Sequence, residues 1–514
     1  MTKTTMIETP PRRSRFVMAI GWGLLVTLLV FLFHSQFAKS NFLLSDSADY
    51  RRAADAHFLQ LYLNTDSASP LQLFQLRHDP AFRSHPWDYL YFSGDNAAIR
   101  HFHTPLSFYA MHATSLVSSA DASQRKLTSL VTAATCGVVV VGLFAFGLPL
   151  PVAVMLALVA GIQSRNTEVS VDPSPHSWYM LFAVLFLFAF AGYFRTHRFR
   201  TLAIAAVFLA CAFATLEFSL ELIASVFLAV VVLWIVDRSA LGDLRTLAIS
   251  FGKAVLVFLM TTFVLWPGGW IRGGYLECYG VTGSTLVFKN KAAFGEHLSV
   301  ADLYGKFFAG HEGLLLLAIF ALIAMVVLLA RRKLSVVTIV FMSYTLVAFA
   351  LGIADHFRLD TYISEALLFL LITVALLFGD ILAEVASGRQ RFAIAAAVVV
   401  LALVGAQEWV RRQPLRLYQP WLQPILVGVE ANVPRGSTIL VNDYLEAYYT
   451  YLPVYDYEPT ESVTDMTPRS AERTQGVKYF LFFGAVPKAS NIKLLESFPT
   501  NTPGRTVDLY IKTQ

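Results

Sequence analysis

A carboxylate opens the longest polar stretch of the chain. In Leu43-Leu44-Ser45-Asp46-Ser47-Ala48-Asp49-Tyr50, Asp46 follows shortly after the first strongly apolar run, Phe16–Phe33. That places it at a membrane–water interface, where partial desolvation penalises the charged form, raises a carboxyl's proton affinity and suits it to general-base work. A plainer alternative makes Asp46 or Asp49 the N-cap of a helix starting near Tyr50. The same stretch carries His57, His78, His85, His101, His103 and His112. With Asp46 and Asp49, His101 and His103 offer nitrogen and oxygen ligands to a divalent metal, although no spacing here matches a closed metal motif. It ends in His103-Thr104-Pro105-Leu106-Ser107-Phe108-Tyr109-Ala110-Met111-His112, an amphipathic segment suited to a membrane surface.

Something apolar must carry these groups. Of the 514 residues, 56% are hydrophobic and 15% charged, against about 25% charged in a soluble domain. Mean hydropathy is +0.56. An ordinary soluble enzyme is excluded, and so is disorder, because 41 Phe, 21 Tyr and 8 Trp supply too much apolar surface. A net charge of +5 is too mild to argue for nucleic acid. The three cysteines make no disulfide framework, since Cys136 and Cys211 fall inside apolar runs. The chain reads as an all-α polytopic membrane protein.

A bilayer core takes about 20 mostly apolar residues per helix. About eleven such runs are present, near 16–35, 127–147, 149–164, 177–194, 201–216, 218–236, 246–266, 313–330, 334–353, 362–380 and 391–406. The runs at 149–164 and 201–216 are short for a full crossing. Arg12, Arg13 and Arg15 ahead of Phe16–Phe33, with Ala38-Lys39-Ser40 after it, imitate a signal peptide. The run exceeds a signal core of about 7–15 residues, so an uncleaved first span is expected.

Lys and Arg collect at alternate connections: the N-terminal cluster, 195–200, 237–245, 331–333 and 388–391. By the positive-inside rule that side is cytoplasmic, with the N-terminus inside. The outer face then receives 36–126, 165–176, 267–312, 354–361 and everything after 407. Residues 1–406 form the transmembrane unit. In 407–514, Gly436–Asn442, Val477–Phe483 and Thr506–Ile511 read as strands, which predicts a small outer α/β domain.

Two motifs now carry a resemblance. Asp46-Ser47-Ala48-Asp49-Tyr50 just after span one, then His103-Thr104-Pro105-Leu106 closing the same loop, resemble the GT-C glycosyltransferases. Within them, the branch with protein O-mannosyltransferases and lipid A aminoarabinose transferases opens this loop with Asp-Glu-x-x-Tyr and closes it with His-x-Pro-Pro-Leu. Here Ser47 replaces the Glu and one proline is missing, which favours a divergent bacterial member. The resemblance implies a GT-C-like helix arrangement in the bacterial cytoplasmic membrane. It also implies inverting transfer of a sugar from a polyprenyl-phosphate donor to a lipid, glycan or protein hydroxyl on the outer face. Asp46 takes the position of the catalytic Asp, beside Asp49, Tyr50 and His103. Arg358 and Tyr362 occupy the place of a family segment entering a late span.

The chemistry agrees with one key carboxylate. A polyprenyl phosphate leaves as an anion and needs no general acid, whereas glycoside hydrolysis needs two carboxyls. What remains is a base, Asp46, and cations for the phosphate, drawn from Arg165, Arg272, Lys289, Lys291 and Arg358. Arg165 and Arg358 have the alternative of snorkelling at helix ends. Glu168 and Asp172, like Glu217 and Glu221 at i and i+4, lie at outer turns within reach of a substrate cavity. No resident cofactor is required, apart from the divalent metal considered above. The competing function is a transporter or flippase for a lipid-linked or polyanionic substrate, but the paired repeats of such proteins are missing from the sequence.

Overall fold

The computed structural model describes residues 13–37, 58–64, 103–118, 121–163, 170, 173–276, 278–279, 299–354, 360–411, 422–434, 437–441, 456–459, 477–483, 491–499, 504 and 506–513. Its helices are α1 (Arg13–Ser35), α2 (Phe58–Leu63), α3 (Leu106–Val117), α4 (Asp121–Ala145), α5 (Leu150–Ile162), α6 (Pro175–Thr196), α7 (Phe199–Phe213) and α8 (Ser219–Val236). They continue as α9 (Leu244–Leu265), α10 (Pro267–Ile271), α11 (Val300–Phe308), α12 (Glu312–Ala330), α13 (Val336–Ala354), α14 (Asp360–Glu384), α15 (Ser387–Arg411) and α16 (Leu422–Asn432). Each apolar run of the sequence is one helix. Among the described residues, eight helices are long and apolar enough to cross a membrane, while α5, α7 and Val336–Leu351 of α13 are shorter apolar segments.

Apolar patterning sorts these helices by depth. A helix apolar all round is either in the protein interior or against lipid. In α14, 78% of the apolar window is buried, and in α6 67%, so these two form the centre, whereas α9, at 11%, lies at the periphery of the bundle. Small residues let α1 approach α4. A Cβ on Gly137 would stand 2.2 Å from Thr27 Oγ1 and 2.7 Å from the Gly23 carbonyl, the close backbone contact that membrane helices use when water offers no driving force.

Connections between helices obey local rules. The turn from α4 to α5 needs a positive φ, met by Gly147 at 93°. Asp243 caps α9 by accepting from the Thr246 amide at 2.8 Å. At the end of the bundle carrying the basic turns, Arg195 Nη1 donates to the Ala145 carbonyl at 3.0 Å, and Lys333 Nζ to Glu384 Oε1 at 3.1 Å.

After α15 come α16 and five strands, β1 (Thr438–Val441), β2 (Asp456–Pro459), β3 (Tyr479–Phe483), β4 (Ile492–Pro499) and β5 (Thr506–Lys512). The sheet order is β2-β1-β3-β5-β4, with β1 parallel to β2 and β3, and β5 antiparallel to β3 and β4. Ile425, Val429 and Val433 of α16 pack on Ile439, Leu481, Phe498, Val507 and Leu509. The three strands expected from sequence are present, and β2 and β4 are additional.

Candidate active site at the histidine–glutamate end of the bundle

At the end opposite the basic turns, polar side chains converge where α7 ends and α3, α6, α8 and α14 begin. The His103-Thr104-Pro105-Leu106 motif is pinned to the end of α7. Thr104 Oγ1 donates to the Phe213 carbonyl at 3.2 Å, and the Leu106 amide to the Ala214 carbonyl at 2.9 Å. Proline at 105 brings no N–H, so the chain turns into α3 without leaving a donor unmet. The turn so fixed carries His103 to Glu217, with Nδ1 and Oε2 2.7 Å apart.

A second pair lies beside the first. His176 Nδ1 bonds Glu365 Oε1, joining the first turn of α6 to α14. The two imidazole rings are 6.5 Å apart and nearly perpendicular. Glu365 is 4% exposed and Glu217 17%, and buried carboxylates persist only with hydrogen-bond partners. A third acid, Glu221, stands one turn along α8, with its Oε2 3.3 Å from the Tyr344 hydroxyl. Carboxylate–imidazole pairing fixes which ring nitrogen carries the hydrogen and leaves the other as the basic one. Such pairs accept and hold protons, and their carboxylates take hydrogens from hydroxyl groups.

An aromatic wall adjoins the acids. Tyr279 stacks on Phe213 with ring centroids 4.1 Å apart, and its hydroxyl donates to the Phe213 carbonyl at 2.6 Å. Burial first, and then the Glu217 charge, push its phenol well above the ordinary range, so it remains a donor. The segment Trp266-Pro267-Gly268-Gly269-Trp270 lets the short helix α2 sit on the end of α9. Trp266 Nε1 donates to the Leu61 carbonyl at 2.9 Å, and Tyr62 to the Val264 carbonyl at 2.9 Å. Only glycine fits at 268, because a Cβ there would meet the Leu63 backbone at 2.2 Å.

Of the residues singled out by sequence, His103 is brought into this cluster. Tyr362 lies in the first turns of α14, which also carries Glu365. Arg272 is exposed at the end of α10. Asp46, Asp49, Tyr50, Arg165, Glu168, Asp172, Lys289, Lys291 and Arg358 lie outside the described residues, as does His101. Among the described residues no group of three or more His, Cys, Asp or Glu is arranged to hold a metal. Sequence reasoning noted Glu217 and Glu221 without giving them a role, and it missed His176. The signal for His176 is its place at the start of an apolar helix behind Pro175, where polar side chains are few and face the bundle.

No family model matches the chain, and no curated protein matches it. Among solved structures, the crystal structure of ArnT from Cupriavidus metallidurans bound to undecaprenyl phosphate is similar, with a TM-score of 0.58 at 10% identity. The match covers 97% of this chain and 98% of that one. The chain therefore has a GT-C-like polytopic membrane fold, mostly helical with one small sheet.

Proposed function

We propose that the protein is an inverting glycosyltransferase that moves a sugar from a polyprenyl-phosphate donor to an acceptor hydroxyl on the outer face of the cytoplasmic membrane. The observation that carries this is the fold, alike over nearly the whole chain to a structure with undecaprenyl phosphate bound. The polar cluster adds support, because it gathers at the bundle end that the positive-inside rule assigns to the outer face. In this reading the tail from 407 is an outer domain and the N-terminus is cytoplasmic.

Asp46 removes the acceptor's proton as its oxygen attacks the anomeric carbon, and the polyprenyl phosphate leaves as an anion. Arg165, Lys289 and Arg358 hold that phosphate by charge-assisted hydrogen bonds. Asp49, Tyr50, His103, Glu168 and Tyr362 contact the substrates. His103 reaches this role with its ring held by Glu217, so a preorganised imidazole meets the sugar or acceptor. The acceptor is a lipid, glycan or protein hydroxyl.

The test uses purified protein and a panel of polyprenyl-phosphate sugars, with mass spectrometry of released polyprenyl phosphate. Release with one donor and a matching glycosylated acceptor is expected. Folded protein that releases polyprenyl phosphate from no donor sinks the reading, and vesicle uptake of the same lipids would point to a flippase instead.

A further inference from the structure

The tenth residue of α9 is a lysine set among apolar neighbours. Arg245, Ile249, Lys253, Leu256 and Met260 follow at steps of three and four, which puts them on one face of the helix. All five are exposed. Beside Lys253 the face is open, since a Cβ on Gly252 would have nothing within 4 Å. Lys253 sits about 13 Å along the helix axis from the start of α9. That is well inside the last turn from which lysines ordinarily snorkel to water. A cation on the apolar surface of a membrane helix is costly, and it persists where something negative answers it.

Among the described residues no carboxylate answers Lys253. Its Nζ lies instead 5.8 Å from the ring centroid of Phe199, the first residue of α7, which packs beside α9. Arg200 comes next on α7 and is exposed as well. The acids of this bundle end have other partners. Asp243 accepts from the Thr246 amide and hydroxyl, Asp237 from the Ser239 hydroxyl, and Glu384 from Lys333. Arg200, Arg245 and Lys253 form no ion pair with a described residue. The face between α7 and α9 thus carries three cations at its basic end and apolar side chains beyond them.

We propose that this face binds an anionic phospholipid. Its phosphate meets Lys253, and Arg200 and Arg245 add charge from the first turns of the two helices. The Phe199 ring covers one side of the ammonium and holds it toward the headgroup. The acyl chains run along Ile204 and Val207 of α7 and Leu256 and Met260 of α9, all exposed. Such a lipid bridges α7 to α9, whose apolar window is only 11% buried in the protein, and so stabilises the seat of that helix. The site lies at the bundle end opposite His103 and Glu217. It is separate from the candidate active site, and it stands whether or not the protein transfers a sugar.

Native mass spectrometry of the full-length protein in detergent tests it, with phosphatidylglycerol and phosphatidylethanolamine of the same acyl chains offered together. Preferential retention of phosphatidylglycerol is expected. Lys253→Gln should weaken that preference about fivefold, the worth of one basic residue near a charged leaflet, and Lys253→Arg should keep it. Arg391→Gln, in another basic turn of the same end, should leave it unchanged. An undiminished preference in Lys253→Gln overturns the proposal. So does an equal loss in Arg391→Gln, which would reduce the effect to a general attraction of the basic end. Two chains per particle with no phospholipid retained would put a second copy on this face and overturn it too. Thermal unfolding gives a second readout: phosphatidylglycerol should raise the unfolding temperature of the wild type and much less that of Lys253→Gln. Should Lys253→Gln fail to fold, the double variant Arg200→Gln with Arg245→Gln decides, and a full preference there counts against the site.

Discussion

The His103 imidazole and the Glu217 carboxylate meet at 2.7 Å, although 114 positions separate them. This contact ties the start of α3 to the turn between α7 and α8. Both side chains are mostly buried, at 10% and 17% exposure, so neither can turn to water when the other is removed. Glu217→Gln and His103→Ala should each lower stability by about 1–3 kcal/mol. A double-mutant cycle should show coupling of about 0.5–3 kcal/mol. Thermal unfolding in detergent measures both, and additive losses would mean that the pair contributes nothing as a pair.

How much of this could be read from sequence depends on the interaction. Apolar runs reveal helices because each span must bury or expose some 20 residues to lipid on its own, and every run from Phe16–Phe33 onward folds as one. Strands were legible where alternation was clean, as in Thr506–Lys512. β4, Ile492–Pro499, escaped because Leu494 and Glu496 flank a register shift that breaks its alternation. The short β2 is polar, Asp456-Tyr457-Glu458-Pro459, and exists by pairing with β1. The same holds for the site. His103 stood out through its motif, but His176, Glu365 and Glu217 become a site only across long sequence separations, which no local pattern encodes.

Close packing of α1 on α4 makes a second prediction. Gly137→Ala would put a methyl group 2.2 Å from Thr27 Oγ1 and 2.7 Å from the Gly23 carbonyl. Overpacking of this kind costs about 1–3 kcal/mol. Gly252→Ala, where nothing lies within 4 Å, is the control and should be neutral or slightly stabilising, since alanine is the better helix former. Equal unfolding temperatures for the two variants would show that α1 and α4 do not approach as described.

Asp243 provides a pH dependence. The Thr246 hydroxyl, and then its backbone amide, donate to this carboxylate at 2.7 and 2.8 Å and hold its pKa below the ordinary value. A folded-state value below the unfolded one stabilises above the unfolded pKa and is lost as pH falls through the folded pKa. Asp243→Ala should therefore lower the unfolding temperature at neutral pH, with the gap to wild type closing below about pH 4. Asp243→Asn still caps α9 and should lose less. A gap that is constant from neutral to acid pH would remove the charge from the explanation.

Orientation is testable by fusion. Basic turns at one bundle end and histidine–glutamate pairs at the other predict that the turn after Arg332 is cytoplasmic and the tail is outside. A reporter active only in the periplasm should work when fused at Gln514 and fail when fused after Arg332. The reverse pattern would put the histidine–glutamate end inside and end the proposal that the acceptor is met on the outer face.

The proposed base is tested by Asp46→Asn. Asparagine keeps the size of the side chain and caps a helix about as well as aspartate, but it cannot take a proton from an acceptor hydroxyl. The variant should fold and bind donor near normally while transferring sugar at least about 100-fold more slowly, the scale of a lost general base. Asp49→Asn is the companion, and it should cost much less, because the resemblance puts the catalytic carboxylate four residues before Tyr50. Turnover and thermal stability must be measured on the same preparations, since a rate loss that tracks unfolding speaks only to the fold. A stable Asp46→Asn protein with undiminished transfer would reduce Asp46 to a helix cap and move the search for the base to the buried pairs His103–Glu217 and His176–Glu365.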